Sequence, residues 1–254
     1  PELVSRVFTA CDSTSMNCEI IAINDGSTDN SQQVLIDLRA KDPRLKIISF
    51  RRNFGKSDAL DAGFRAARGR YIITMDADLQ HDPKEIPRFI EMINNEWDLV
   101  SGWKKKRHDP VLSKNIPSRL FNRATSFFSG VRLHDFNCGF KCYRAEVIQS
   151  LHVYGEMHRF LPAIAYMKGF RVSEMVVEHH ARAFGVSKFG AARFINGMLD
   201  LVTVVFTNRY LRKPLHFFGP PGLILVCAGL MIDLWLSFEK IVLNLPLSNR
   251  PLLF

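Results

Sequence analysis

The sequence predicts an α/β fold built on a mostly parallel sheet flanked by helices, and three observations carry that prediction. Three runs of β-forming residues, 19–24, 46–50 and 70–75, each stop at a polar loop. Each loop then gives way to helix-compatible sequence, and strand–loop–helix repeats of this kind favour a parallel, doubly wound sheet. The third run ends on two aspartates one residue apart, Asp76 and Asp78, at the carboxyl end of a buried strand. That is where open α/β sheets bind ligands.

Taken in order, residues 1–10 read as a helix. The first strand enters Asp25-Gly26-Ser27-Thr28-Asp29, a turn with an N-cap leading into a helix near 31–40. The second strand enters Arg51-Arg52-Asn53-Phe54-Gly55-Lys56 and a helix over roughly 58–68. A helix N-terminus with a lysine beside it suits an anion. The chain has no Gly-x-Gly-x-x-Gly and no Walker lysine loop, so the dinucleotide oxidoreductase and P-loop ATPase readings lose their main support. Further along, residues 116–130 place Leu120, Phe121, Phe127 and Phe128 among Arg119, Asn122 and Arg123, and a strand at 171–177 leads into a basic loop.

Strand residues two apart point the same way, and two carboxylates on one wall repel unless a cation lies between them. Mg2+ or Mn2+ bridging a diphosphate is the economical answer, with Asp76, Asp78 and Gln80 as ligands. The plainer reading is a solvated Asp-rich turn, and a bare Asp-x-Asp does not decide between them. Lys104-Lys105-Lys106-Arg107 reads as a solvated or phosphate-facing loop rather than a nucleic-acid patch. His179 and His180 are adjacent on a strand and diverge, which favours a supporting role over joint metal ligation.

With 254 residues and 47% hydrophobic content the chain buries one substantial core and has length left for an appendage. A net charge of +9 calls for an anionic partner. That partner is nucleic acid, a phosphorylated substrate or an acidic membrane surface, and the tail favours the membrane. Between residues 214 and 232 there is no Asp, Glu, Lys or Arg, and Gly219-Pro220-Pro221 offers a helix start. A helix over 220–238 would be about 28 Å long, close to the hydrocarbon thickness. Asp233 is the objection, since a carboxylate in lipid costs on the order of 3 kcal/mol. Lys188, Arg193, Arg209, Arg212 and Lys213 precede the span and Lys240 and Arg250 follow it, so the domain before the span is expected to be cytoplasmic, at an inner or plasma membrane. Just upstream, over residues 193–212, the rows Phe194, Met198, Leu201, Val205 and Ile195, Leu199, Val202, Phe206 suit a helix lying in the headgroup layer. The alternative is a helix packed on the domain. The five cysteines lack zinc-ligand spacing and read as reduced structural thiols.

Five segments, met in order along nearly the whole chain, carry a family resemblance. They are Asn24-Asp25-Gly26-Ser27-Thr28-Asp29, Arg52-Asn53-Phe54-Gly55-Lys56, Asp76-Ala77-Asp78-Leu79-Gln80-His81-Asp82-Pro83, His134-Asp135-Phe136-Asn137-Cys138-Gly139-Phe140-Lys141 and Arg182-Ala183-Phe184-Gly185-Val186-Ser187-Lys188-Phe189. Together they resemble the inverting family 2 glycosyltransferases of the polyprenyl-phosphate type. The resemblance implies a GT-A-like catalytic domain over 1–190, an interfacial helix over 191–213, and a membrane helix with the start of a second membrane segment over 214–254. It implies a UDP- or GDP-linked sugar donor held by Asp25, Ser27, Asn53, Lys56 and Asp76, with Asp78 and Asp135 as catalytic groups. Asp135 is expected to act as base or to orient the acceptor, although an Asp beside Phe136-Asn137 also suits a plain turn. Arg119, Arg182, Ser187 and Lys188 are expected to hold the phosphate of a polyprenyl phosphate. Membrane lipids are implied as partners, and a homo-oligomer is compatible. Two rival readings are a family 2 transferase acting on a polysaccharide hydroxyl and a noncatalytic membrane adaptor. The family opens on a strand with a Pro-x-Tyr-Asn-Glu turn, and this chain opens on helical sequence. The expectation is that this first strand is missing, along with the remainder of the second membrane segment after Arg250-Pro251-Leu252-Leu253-Phe254.

Overall fold

The computed structural model describes residues 1–14, 16–105, 116–180 and 191–242, except the side chains of 116–119 and 191–195. Arg182, Ser187 and Lys188, the side chain of Arg119, and Lys106-Arg107 therefore lie outside the described residues, as does everything after Val242.

The sheet forms in two pieces. Strands β1 (Ile20–Asn24) and β2 (Leu45–Ser49) pair in parallel, joined through α2 (Ser31–Lys41). A helix α1 (Glu2–Asp12) precedes them, and α3 (Lys56–Ala66) follows β2. The second piece has the order β3 (Tyr71–Thr74), β5 (Lys141–Arg144), β4 (Leu99–Trp103), β6 (Val172–Val176). β4 and β6 are parallel, but β5 runs antiparallel to both its neighbours. The α/β class holds, and within it β5 is the reversed strand that pairs with β3. Local signals reveal which residues form a strand, but the direction of β5 depends on partners far away in sequence, with α4 and α5 lying between β3 and β5.

The core lies under the second sheet. On α4 (Ile86–Asn95) Ile86, Phe89 and Ile93 share one face by helical spacing and bury against Val100, Phe140, Cys142, Met175 and Val177. Ala10 of α1 joins this cluster. Helices α5 (Ile116–Ser129), α6 (Ala145–Ser150) and α7 (Leu161–Met167) complete the domain, and α5 packs against α7 and against α8 (Ala191–Val205). The five cysteines are free thiols.

The chain divides into two compact units, Pro1–Asn208 and Arg209–Phe254. The two apolar rows on α8 have different fates. Leu201 and Val205 are buried with Val204, and Gly197 sits against Phe121 of α5, while Leu199 and Val202 are exposed. The helix therefore packs on the domain with one row and presents the other. It is also shorter than its sequence pattern, because residues Phe206–Tyr210 widen into a π-turn. Thr207 and Asn208 side chains donate to the Thr203 and Val204 carbonyls there and compete with the regular ladder.

In the second unit α9 (Leu215–Ile241) is 27 residues long, with a mean hydropathy of 1.9 over its most apolar window. At about 40 Å it is long enough to cross a bilayer. It begins five residues earlier than Pro220: His216 donates to the Lys213 carbonyl and Phe217 and Phe218 to that of Pro214, so Pro220 and Pro221 fall inside the helix.

Candidate active site

Two loops are pressed together where β1 and β2 end. Asn24, the last residue of β1, is buried, accepts the Ser27 N–H at 2.9 Å and donates to Gln32. Gly26 has φ of 68°, and a Cβ there would stand 2.3 Å from the Arg52 carbonyl carbon. Only glycine permits that approach. The Asp25 carboxylate accepts the backbone N–H groups of Phe54 at 2.7 Å and Gly55 at 2.9 Å, closing the N-terminus of α3, and Asn53 donates to the Asp25 carbonyl. Ser27, Asn53 and Lys56 are exposed along this rim.

The third strand end meets the same rim. Lys56 Nζ lies 2.5 Å from Asp76 Oδ1. Burial alone would raise the Asp76 carboxyl, but the charge and hydrogen bond of Lys56 carry it below the ordinary carboxylate value. Asp76 is thus ionised at neutral pH. Its other face abuts Gly139, where an added Cβ would come within 2.2 Å of Asp76 Oδ2. Thr74 ties the same turn to β3 by donating to the Gly139 carbonyl at 2.9 Å. Gly139→Ala is therefore expected to displace the carboxylate and lower activity by about tenfold or more while far-UV circular dichroism is unchanged. Unaltered turnover would show that this contact does not position Asp76.

Beyond Asp76 the chain turns sharply. Leu79 adopts φ of 59°, uncommon for a residue with a side chain. Asp78 Oδ1 accepts the Gln80 N–H at 3.2 Å, and the Gln80 carbonyl accepts the His180 N–H. His81 and His179 pair as a single antiparallel bridge, so the ends of β3 and β6 are joined. Burial, then the nearby Lys104 charge, push the His81 imidazole down to about 3, so it is neutral. His179 and His180 do diverge. His180 joins Asp82 and Glu178, whose ligand atoms lie within 4.8 Å of one another, two carboxylates and an imidazole that could hold a metal ion.

Asp135 is buried, and its Oδ1 accepts the Asn137 N–H at 3.1 Å. This is the turn geometry that the plainer reading anticipates. The flanking His134 stacks on Trp103 at 4.1 Å and hydrogen-bonds Glu174.

Three residues at the site escape sequence reasoning: Lys141, His158 and Arg159. Lys141 is buried and donates to the Cys138 carbonyl. Its burial pushes the amine down to about 8. Ser57 Oγ, beside Lys56, lies 3.0 Å from His158 Nδ1 and accepts the His158 backbone N–H at 3.2 Å. A His-Arg pair 101 residues away from Ser57 gives no local sign of that contact.

With this geometry in place, comparison with known proteins is informative. Residues 1–151 match the family model for glycosyl transferase family 2. The chain is 43% identical over 258 residues to a dodecaprenyl-phosphate galacturonate synthase of Rhizobium johnstonii, covering 99% of this chain and 75% of the relative. It is 35% identical over 245 residues to an undecaprenyl-phosphate 4-deoxy-4-formamido-L-arabinose transferase of Aeromonas hydrophila, covering 96% and 73%. Among solved structures, glucosyl-3-phosphoglycerate synthase from Mycobacterium tuberculosis with Mn2+, UDP-glucose and phosphoglyceric acid superposes with a TM-score of 0.54 at 17% identity, over 80% of this chain and 74% of that one. A mannosyltransferase from Pyrobaculum calidifontis with GDP-mannose and Mn2+ gives 0.51 at 17%, over 77% and 55%. These two establish the fold. The chain belongs to glycosyl transferase family 2 and is a glycosyltransferase.

Proposed function

We propose that this enzyme transfers one sugar from a nucleotide sugar to a polyprenyl phosphate, with inversion at the anomeric carbon, at a membrane surface and for cell-envelope glycan. The observation that carries the reading is near full-length similarity to two transferases named for polyprenyl-phosphate sugars, which reaches past the family domain into the apolar tail. Two carboxylates and an amide oxygen from one turn form a hard oxygen set that suits Mg2+ or Mn2+. Asp76, Asp78 and Gln80 are assigned to hold that ion. Bound there, it would supply positive charge for the departing diphosphate.

The protein's own groups do the rest. Asp25, Ser27, Asn53 and Lys56 line the rim assigned to the nucleotide. Lys56 waits on Asp76, and its ammonium can turn to a donor phosphate from the same position. A lipid monophosphate with a second pKa near ~6 is largely ionised at neutral pH, so it needs orientation more than deprotonation. Asp135 is assigned that orienting task, with Arg119, Arg182, Ser187 and Lys188 holding the lipid phosphate. Exposed Leu199 and Val202 on α8 support contact with the headgroup layer, and the charges flanking α9 support a cytoplasmic catalytic unit.

Two measurements test the reading. In detergent with Mn2+, one of a panel of UDP- and GDP-sugars should release its nucleoside diphosphate only when polyprenyl phosphate is present; release independent of lipid phosphate contradicts the acceptor. Lys56→Ala should raise the donor KM by about tenfold and leave the acceptor KM unchanged, the signature of lost ground-state binding to a phosphate. The opposite split would move Lys56 to the lipid side.

A further inference from the structure

A cavity opens behind Asp76, between α3, β3, β5 and the turn Met157–Arg159. Among the described residues its lining comprises Lys56, Lys141, Arg159 and His158 with Thr74, Asn137, Gly139 and apolar neighbours, and none of these is a carboxylate. Carboxylates reach two of these cations from outside the lining: Asp76 meets Lys56, and Glu156 Oε2 meets Arg159 Nη2 at 2.7 Å. Lys141 differs. It is 3% exposed, and the group it donates to is the neutral Cys138 carbonyl. A buried ammonium is costly unless an anion accompanies it.

The Arg159 guanidinium is fixed as well. Its side chain is 11% exposed, and its Nη1 would lie 3.4 Å from a Cβ added at Gly197 of α8. His158 and Ser57 hold the turn that carries it against the N-terminus of α3. A planar fork and a point charge converging on one cavity are the arrangement that recognises an oxyanion.

We propose that Lys141 and Arg159 form an oxyanion subsite, in which an anionic group of a substrate takes the hydrogen bonds that buried Lys141 now gives to the neutral Cys138 carbonyl. The proposal rests on the glycosyl-transfer reading for the identity of the substrate, though not for the anion chemistry. Two sources carry that chemistry: the phosphate of the lipid acceptor, and the carboxylate of an acidic donor sugar. Both residues are binding groups, distinct from the turn assigned to the metal.

The test uses the full chain in detergent, with Arg159→Gln, Arg159→Lys, Lys141→Met and Lys141→Arg. If the acceptor phosphate occupies the subsite, Arg159→Gln and Lys141→Met raise the acceptor KM by about tenfold or more at unchanged donor KM, and the Lys and Arg replacements recover part of the loss. If a sugar carboxylate occupies it, the same variants instead erase the preference for an acidic over a neutral nucleotide sugar. Inorganic phosphate, compared with chloride at equal ionic strength, should raise the melting temperature of the wild type and not of Arg159→Gln. This measurement also stands if Lys141→Met fails to fold. The subsite is overturned if Arg159→Gln keeps both KM values and the donor preference within about twofold of wild type, or if phosphate protects it equally. Should the wild type transfer no sugar to lipid phosphate, the transferase reading falls, and the phosphate shift alone decides the subsite.

Discussion

Asp76→Asn and Asp78→Asn each lower transfer by about a hundredfold or more, a loss of about 2.7 kcal/mol in transition-state stabilisation. The physical reason is charge. The leaving diphosphate gathers negative charge as the glycosidic bond breaks, and a cation held, as proposed, by Asp76, Asp78 and Gln80 would offset it only while the carboxylates keep their own charge. Asparagine preserves shape at both positions, so circular dichroism and the unfolding midpoint should stay near wild type. At Asp76 the change also releases Lys56, now 2.5 Å away, so this variant should weaken Mn2+-dependent nucleotide binding as well. Full activity of either variant, or of the wild type in EDTA, would remove the metal assignment.

Arg182→Lys lowers transfer by about tenfold or more through the acceptor KM, with donor binding intact. Lysine keeps the charge but loses the planar fork that grips two phosphate oxygens at once. A loop that merely favours anionic lipid gains about 1 kcal/mol per basic residue whichever residue carries the charge, so it would tolerate the replacement. Kinetics indistinguishable from wild type across acceptor concentrations would therefore favour a polysaccharide hydroxyl as acceptor.

What could be read from the sequence is what local chemistry writes. Strand ends flagged by Asp25, Asn53-Phe54-Gly55-Lys56 and Asp76 are visible because polar turn residues interrupt β-forming runs, and the structure brings those three ends together. The apolar tail was visible because 27 helical residues carry so few charges. What depends on distant partners was not. No local pattern says that β5 runs backwards between β3 and β4, since the pairing joins Tyr71 to Arg144 across the whole α4–α5 region. Lys141 closes the segment 134–141 that carries part of the resemblance, but nothing in the sequence marks it as buried or Arg159 as set against Gly197. On α8 the two apolar rows are equivalent by period; packing on the domain, with α5 among its contacts, buries Leu201 and Val205 and leaves Leu199 and Val202 exposed. The early start of α9 comes from tight bonds to the Lys213 and Pro214 carbonyls, which Gly219-Pro220-Pro221 masks in the sequence.

The most direct test of the central claim is phosphorus NMR of the lipid after reaction of the detergent-solubilised chain with its nucleotide sugar, Mn2+ and a polyprenyl phosphate. Conversion of the lipid phosphomonoester signal to a sugar phosphodiester, with anomeric configuration opposite to the donor and no product from the corresponding polyprenol, is the predicted result. A phosphomonoester signal that persists while the sugar appears on a glycan hydroxyl would contradict it.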